Sequence, residues 1–370
     1  MPIKKIGIVL LSVIGAVVIG GALFVKFDTP AAAVIADEYM RPFLGDKTVI
    51  YMEKAYFNSA DTAQQAVSRY EAPSPPVIND LSPAPSKTSL ALEPLPVNPA
   101  FPPLAGEGEW RNISLGAFPG REVMATAFVR PDPERNYSIV SIVKIDQKSL
   151  AIGSVAGIKE PGGKLGNPGP GKVPDDIVQS DSLVAAFDGG FQYHDGKYGM
   201  MAGGKTYVPL RDGLGAVVGY RDGSIRVLKY FSDLSLGDDV AFIRENGPML
   251  IENGAITTHR VDSIEIWGAM AGDSIYTWRS GIGVDADGEA LFAAGNGLSP
   301  QTLGEALKEA GAVNAVQLDI NPFWVRFNIF NPLGGGKYDS FPLAKGMADG
   351  QISYLTGYSK DFFYVYKRQP

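Results

Sequence analysis

The sequence predicts an α+β fold: a sheet-rich single globular domain after an N-terminal transmembrane helix and a Pro-rich stalk. Three observations carry this. Residues 6–25 form an uncharged apolar run, ten prolines fall between Pro73 and Pro103, and short apolar segments recur between Gly- and Asp-containing turns from Trp110 onward.

The apolar run comes first. As a helix it would be about 30 Å long, one hydrocarbon core. Lys4 and Lys5 before it favour a cytoplasmic N-terminus. The expected location is therefore the cell membrane, single-pass, with the rest of the chain extracytoplasmic. Ala31-Ala32-Ala33 offers the alternative of a processing site. The expected organisation is a short cytoplasmic N-terminus (1–5), an anchor (6–25), a juxtamembrane region (26–70), a Pro-rich linker (71–105) and a domain (106–370). Within the juxtamembrane region, Ser59 to Tyr70 reads as a short helix capped by Ser59. The prolines remove donors and restrict their neighbours, so the linker is expected to be extended, reaching about 95 Å at polyproline spacing.

Strands are expected over 123–129, 137–145, 183–187, 215–220 and 225–228. A hairpin should join 281–284 to 290–294 through Asp285-Ala286-Asp287-Gly288. The clearest helix begins with Ser299 as cap and Pro300 in its first turn. It shows an apolar face of Leu303, Ala306, Leu307 and Ala310, and stops at Gly311. Residues 312–320 then read as a buried strand delivering Asp319.

Composition narrows the chemistry. The formal net charge is -7, with no basic block, which argues against nucleic acid. The absence of cysteine excludes disulfides, thiolate ligands and a cysteine nucleophile. With only His194 and His259, a multi-histidine zinc site is not expected. The carboxylates would suit a divalent cation such as calcium, but no spacing specifies a metal site.

Four islands hold the polar residues of interest. Phe187-Asp188-Gly189-Gly190-Phe191, followed by His194, places an acid at a strand end beside two glycines that permit a tight turn or a close approach. Arg244 to Ile251 includes Glu245 and the Asn246-Gly247-Pro248 bend. Trp278 to Gly283 includes Arg279, whose planar fork suits a phosphate or a carboxylate. Gln317 to Trp324 includes Asp319 and Asn321; an acid leaving so apolar a segment needs a cation, donors or solvent. From local pattern alone, plain turns account for the first two better than a site does, a surface salt bridge accounts for the third at least as well, and a structural cap accounts for Asp319 equally well.

Together the islands resemble the phosphodiester glycosidase domain family, related to the enzyme that uncovers mannose 6-phosphate by removing N-acetylglucosamine, and in particular a bacterial membrane-associated branch. The resemblance runs from about Gly106 to Tyr366. It rests on GEGEW at 106–110, EPGG at 160–163, LVAAFDGGF at 183–191, WRSGIGVDADG at 278–288, AAGNGLSPQTLGEAL at 293–307, AVQLDINPFWVRFNIF at 315–330 and SKDFFYVY at 359–366. Asp188 stands where the family's Asn-Gly-Gly-Phe has asparagine. Asn246 to Pro248 meet its Asn-Gly-Pro, and Arg279 and Gly283 its Arg-x-x-x-Gly. Leu318-Asp319 meet its Leu-Asp-Gly-Gly-Gly-Ser, with Ile320, Asn321, Pro322 and Phe323 replacing the continuation.

The resemblance implies hydrolysis of a sugar-1-phosphodiester in an envelope polysaccharide or glycolipid-like substrate. Asp188 and Asp319 would be the catalytic carboxylates, with Glu245 in reserve. Gly189, Gly190, His194, Asn246, Arg279 and Asn321 would bind substrate, with Arg279 on the phosphate. The alternative is a non-catalytic envelope glycan-binding protein using the same cleft.

Overall fold

The computed structural model describes residues 35–76, 81–82, 90–258, 276–320, 322–347 and 351–368. Compactness divides the chain after Ala60, and every strand belongs to the second unit. Among the described residues all strand pairings are antiparallel. The largest sheet has nine strands, in the order β1 (Leu81–Ser82), β2 (Arg111–Ile113), β3 (Met124–Val129), β4 (Val140–Ile145), β15 (Ala290–Leu298), β14 (Thr277–Asp285), β16 (Ala312–Ile320), β12 (Met249–Glu252), β13 (Ala255–Ile256). A five-stranded sheet runs β10 (Ile225–Lys229), β9 (Gly215–Tyr220), β11 (Val240–Glu245), β7 (Met200–Ala202), β8 (Lys205–Val208). A second five-stranded sheet runs β18 (Lys337–Pro342), β17 (Phe327–Gly334), β6 (Leu183–Asp188), β19 (Phe362–Lys367), β5 (Leu150–Val155).

Both faces of the large sheet are covered, which explains why β3 and β4 are buried at every position. Along β15, alternation sends Ala290, Phe292 and Ala294 into the main core, and Leu291 and Ala293 into a second core under the helix Pro300–Glu309. The main core joins the large sheet to the β6 sheet through a phenylalanine cluster. Phe187 lies 5.1 Å from Phe292, 5.5 Å from Phe327 and 5.3 Å from Phe363, centroid to centroid. These rings lie directly behind the end of β6. They fix where Asp188 emerges.

The helix Pro300–Glu309 forms as its sequence reads. Ser299 Oγ accepts the Thr302 N–H at 3.1 Å, and Thr302 Oγ1 accepts the Ser299 N–H at 2.9 Å. Gly311 follows at φ +100°, the conformation that suits glycine after a helix. The expected helix at Ser59 instead belongs to a longer one, Asp46–Ser68. No proline or glycine interrupts that stretch, and Ser59 Oγ donates back to Ala55 O at 2.7 Å rather than capping.

The expectation of a membrane anchor needs correction. Among the described residues, no helix is long and apolar enough to cross a membrane. Residues 6–25 lie outside the described residues. The described residues form an α+β, sheet-rich fold and include no transmembrane helix. Neither the membrane as a partner through residues 6–25 nor the single-pass extracytoplasmic placement is carried forward. Residues 90–105, read as the end of an extended spacer, are docked on the domain. Leu90 and Leu95 are buried, the Leu95 N–H donates to Gly108 O at 2.8 Å, and Lys144 Nζ donates to Ala91 O at 3.0 Å.

Candidate functional site

Strands from two sheets converge on one polar cluster inside the main core. β6 ends on Asp188, β16 carries Asp319 next to its last residue, and β14, the neighbour of β16, carries Ser280. Arg279 faces Ile320 while Gly281 faces Gln317, so β16 uses one residue more than β14 at this point. That bulge re-aims the strand where Asp319 leaves the sheet.

The Ser280 hydroxyl joins the two acids. It lies 2.5 Å from Asp188 Oδ2, accepts the Asp319 N–H at 3.1 Å and sits 3.4 Å from Asp319 O. Asp188 Oδ1 accepts the Arg326 N–H at 2.9 Å. Asp319 Oδ1 accepts the Ile320 N–H at 2.8 Å, and its Oδ2 is ion-paired with Lys360 Nζ. The Lys360 ammonium also lies 4.7 Å from the centre of the Trp324 ring. Asp188, Asp319 and Lys360 are each 2% exposed.

Burial in this setting separates the two carboxyls. For Asp188, burial and then the neighbouring Asp319 charge outweigh the Ser280 and Arg326 hydrogen bonds and Lys360, and the pKa is pushed up to about 8. For Asp319, burial is countered by the Lys360 charge and hydrogen bond, and the pKa rises only to about 6. Burial opposes the Lys360 charge, yet Asp319 outweighs it and the ammonium pKa lies above its ordinary value. The setting thus drives Asp188 toward its neutral form and leaves Asp319, beside Lys360, the more readily ionised of the two. Two like side chains whose pKa values are driven apart can take different roles.

The Gly-Gly turn is shaped by protein, not by open space. The Gly190 N–H donates to Asp361 Oδ2 at 2.9 Å, and the Phe191 N–H to Asn246 Oδ1 at 3.0 Å. A Cβ on Gly189 would lie 2.2 Å from Asp361 Oδ2, and one on Gly190 2.4 Å from Arg244 Cζ. Arg244, fully buried, donates through Nε to Asp361 Oδ2 at 2.8 Å and through Nη2 to Phe191 O at 2.7 Å. This buried ion pair clamps the segment that follows Asp188.

The other residues read from the sequence are distributed around this cluster. Both Glu245 oxygens accept backbone N–H groups, from Gly199 at 2.9 Å and Arg211 at 2.8 Å, and burial raises its pKa despite those bonds. It thus holds the chain around β7 and β8. Two donors of the buried Arg279 are engaged by Leu298 O at 2.7 Å and Gln317 Oε1 at 3.0 Å, not by either acid. His194 lies in the short helix Tyr193–Gly196, 3.3 Å from Asp195 Oδ1, and Asp195 is among the charges that raise the Asp319 pKa. Asn246 is buried, and among the described residues its Nδ2 has no hydrogen-bond partner. Asn321 lies outside the described residues. No group of three or more His, Asp or Glu side chains is arranged to hold a metal ion among the described residues.

Sequence reasoning missed Ser280, Lys360, Asp361 and Arg244, although all lie in or beside quoted motifs. Glu160, in EPGG, is another: it is buried, its Oε2 accepts the Tyr193 N–H at 2.8 Å, and Lys360 and His194 are among the charges acting on it. A charged pair directly before an apolar strand, Lys360-Asp361 before FFYVY, was the available signal, since charges at a strand entrance need partners.

A family model described as phosphodiester glycosidase matches residues 181–319. That stretch contains Asp188, Glu245, Ser280, Arg279 and Asp319, so the chain is related to phosphodiester glycosidases over part of its length. A search of curated proteins finds no match. Among solved structures, the chain is similar to the catalytic domain of zebrafish N-acetylglucosamine-1-phosphodiester alpha-N-acetylglucosaminidase, auto-inhibited by its pro-peptide. Identity is 14% and the TM-score 0.42, covering 70% of this chain and 88% of that one. It is also similar to a hypothetical protein from Synechocystis at 14% identity and a TM-score of 0.34, covering 66% of this chain and 64% of that one.

Proposed function

We propose that the chain hydrolyses a sugar-1-phosphodiester in a glycan or glycolipid-like substrate. The observation that supports this best is the buried chain Asp188–Ser280–Asp319–Lys360, whose first three members lie inside the family match. In the reaction, water adds its oxygen to the sugar carbon as the carbon–phosphate oxygen bond breaks. The sugar leaves with a hydroxyl and the phosphate leaves as a monoester.

Asp319 is the catalytic carboxylate in this reading. Ionised and steered by Lys360, it accepts the proton of water or supports the positive charge developing at the sugar carbon. Departing phosphate is a good leaving group and needs little acid assistance. Asp188 acts as a neutral carboxyl that positions Ser280 and, through it, the Asp319 backbone. Its neutrality spares the anionic substrate a second negative charge beside Asp319. The family's asparagine fits the same pattern: Oδ1 would accept from Arg326 N, and Nδ2 would donate to Ser280 where the protonated acid donates its O–H.

The test is turnover of a panel of sugar-1-phosphate diesters by the full chain, read as released sugar. Calcium and chelator arms are included, because carboxylate oxygens are donors that calcium takes. Asp319→Asn should lower turnover by about 10²–10⁴-fold with folding retained. Unchanged turnover removes Asp319 from the chemistry. Binding of the diesters without any turnover makes the protein a glycan-binding module instead.

A further inference from the structure

A second site lies at the far end of the same sheet. Tyr366 pairs with Leu183 and Phe362 with Asp188, so this region is displaced from the carboxylate cluster by about 17 Å along β6. Here a cavity of about 380 Å³ opens between Tyr366, Arg368, Arg221, Asp222, Asp176 and Ile177. It shares no side chain with the cluster.

The walls are held by close packing and hydrogen bonds. Tyr366 stacks on Tyr364, with centroids 5.4 Å apart and planes at 27°. The Tyr364 ring lies over Gly153 of β5, where a Cβ would meet its Cζ at 2.2 Å. One residue type thus lets an aromatic platform lie against the sheet. The opposite wall is the turn between β9 and β10. The Ile152 N–H donates to Gly223 O at 2.8 Å, and a Cβ on Gly223 would meet Ala151 Cβ at 2.2 Å, which seats the turn against β5. Asp222 Oδ1 accepts the Ser224 hydroxyl at 2.6 Å and the Ser224 N–H at 2.9 Å, and these bonds hold the carboxyl pKa below its ordinary value. Its Oδ2 is left 3.6 Å from Arg368 Nη1. Among the described residues the Arg368 Nε is buried without a hydrogen-bond partner, which a bound acceptor would supply.

The lining therefore presents two guanidinium groups, two carboxylates and one half-buried aromatic ring. Equal opposite charges disfavour an anion or a cation as ligand, while paired donors and acceptors beside an aromatic face suit a flat, neutral, polyhydroxylated molecule. We propose that this groove is a secondary binding site for a neutral glycan segment, with a sugar ring on Tyr366 and its hydroxyls between Asp222, Arg368 and Arg221. The site does not depend on the chain being an enzyme.

The experiment presents the full chain to an array of neutral and anionic oligosaccharides, then titrates the best-retained neutral glycan by calorimetry. Tyr366→Ala should weaken binding by about tenfold or more, and Tyr366→Phe should preserve it. Asp222→Asn, at an exposed turn, should weaken it about threefold or more. Turnover of a small sugar-1-phosphate diester, where present, should not change in Tyr366→Ala. Retention of no neutral glycan overturns the proposal, as does retention of anionic glycans alone. Binding that survives both Tyr366→Ala and Asp222→Asn also overturns it. If Tyr366→Ala does not fold, Asp222→Asn decides.

Discussion

Asp188 and Asp319 are the same side chain in two electrostatic settings. Lys360 contacts Asp319 directly, whereas Asp188 meets a hydroxyl and a backbone N–H. The cation favours the ionised form of one acid; the other is cheaper to bury neutral. Ser280 is the joint between them. When Asp188 ionises, the Ser280 hydroxyl donates to it, and this charge-assisted bond outweighs the one it accepts from the neutral acid, so Ser280→Ala should move the alkaline limb of the pH–rate profile upward. The same change leaves the Asp319 N–H without its acceptor and should lower kcat more than it alters KM. A Ser280→Ala profile identical to that of the unmodified chain would show that the hydroxyl couples nothing. The two acids were legible in the sequence because each ends an apolar run. Their difference was not. It depends on Lys360, 41 residues from Asp319, and no local pattern announces such a partner.

At the scale of elements, the strand ends are held by the segments that follow them. The turn after β6 is clamped by Asp361, 171 residues away from Gly190, and by Arg244 at the end of β11. The glycines at 189 and 190 could be read as a turn or as a ligand approach; the structure shows close packing against a buried ion pair. Gly190→Ala should therefore destabilise the fold by about 1–3 kcal/mol, measured as a lowered denaturant midpoint at unchanged slope. Asp361→Asn leaves Arg244 buried without its counter-charge, and should cost about 3–5 kcal/mol. A midpoint within error of the unmodified protein in both variants would contradict the clamp. Helix Pro300–Glu309 was readable in full, since its cap, first-turn proline and apolar face all lie within one stretch. The three-sheet arrangement was not readable. The β14–β15 hairpin was legible from its Asp285–Gly288 turn, but β15 also pairs with β4, β14 with β16, and β6 with β17 and β19; those long-range pairings are set by tertiary packing, with no signature inside the strands themselves.

For the whole molecule, keeping Asp188 neutral has a consequence for stability. Its folded pKa of about 8 lies above the ordinary value near 3.9 of an unfolded aspartate. Between those values the native state binds more protons than the unfolded state, so this group makes stability fall as pH rises. Asp188→Asn removes that dependence. The variant should gain stability relative to the parent chain progressively from pH 5 to pH 8, read as the difference in thermal midpoint. A constant or shrinking difference would mean that Asp188 is ionised in the native state. Asp319 contributes in the same direction over a narrower window, up to about pH 6, and does so in both proteins.

The pH dependence of turnover tests the division of roles between the acids most directly. With a sugar-1-phosphate diester as substrate, kcat/KM of the full chain should rise through about pH 6 as Asp319 ionises, and fall through about pH 8 as Asp188 ionises. Asp188→Asn should remain active, keep the acidic limb and lose the alkaline one. An inactive but folded Asp188→Asn would contradict this account, because it would require an ionisable Asp188 in the chemistry itself.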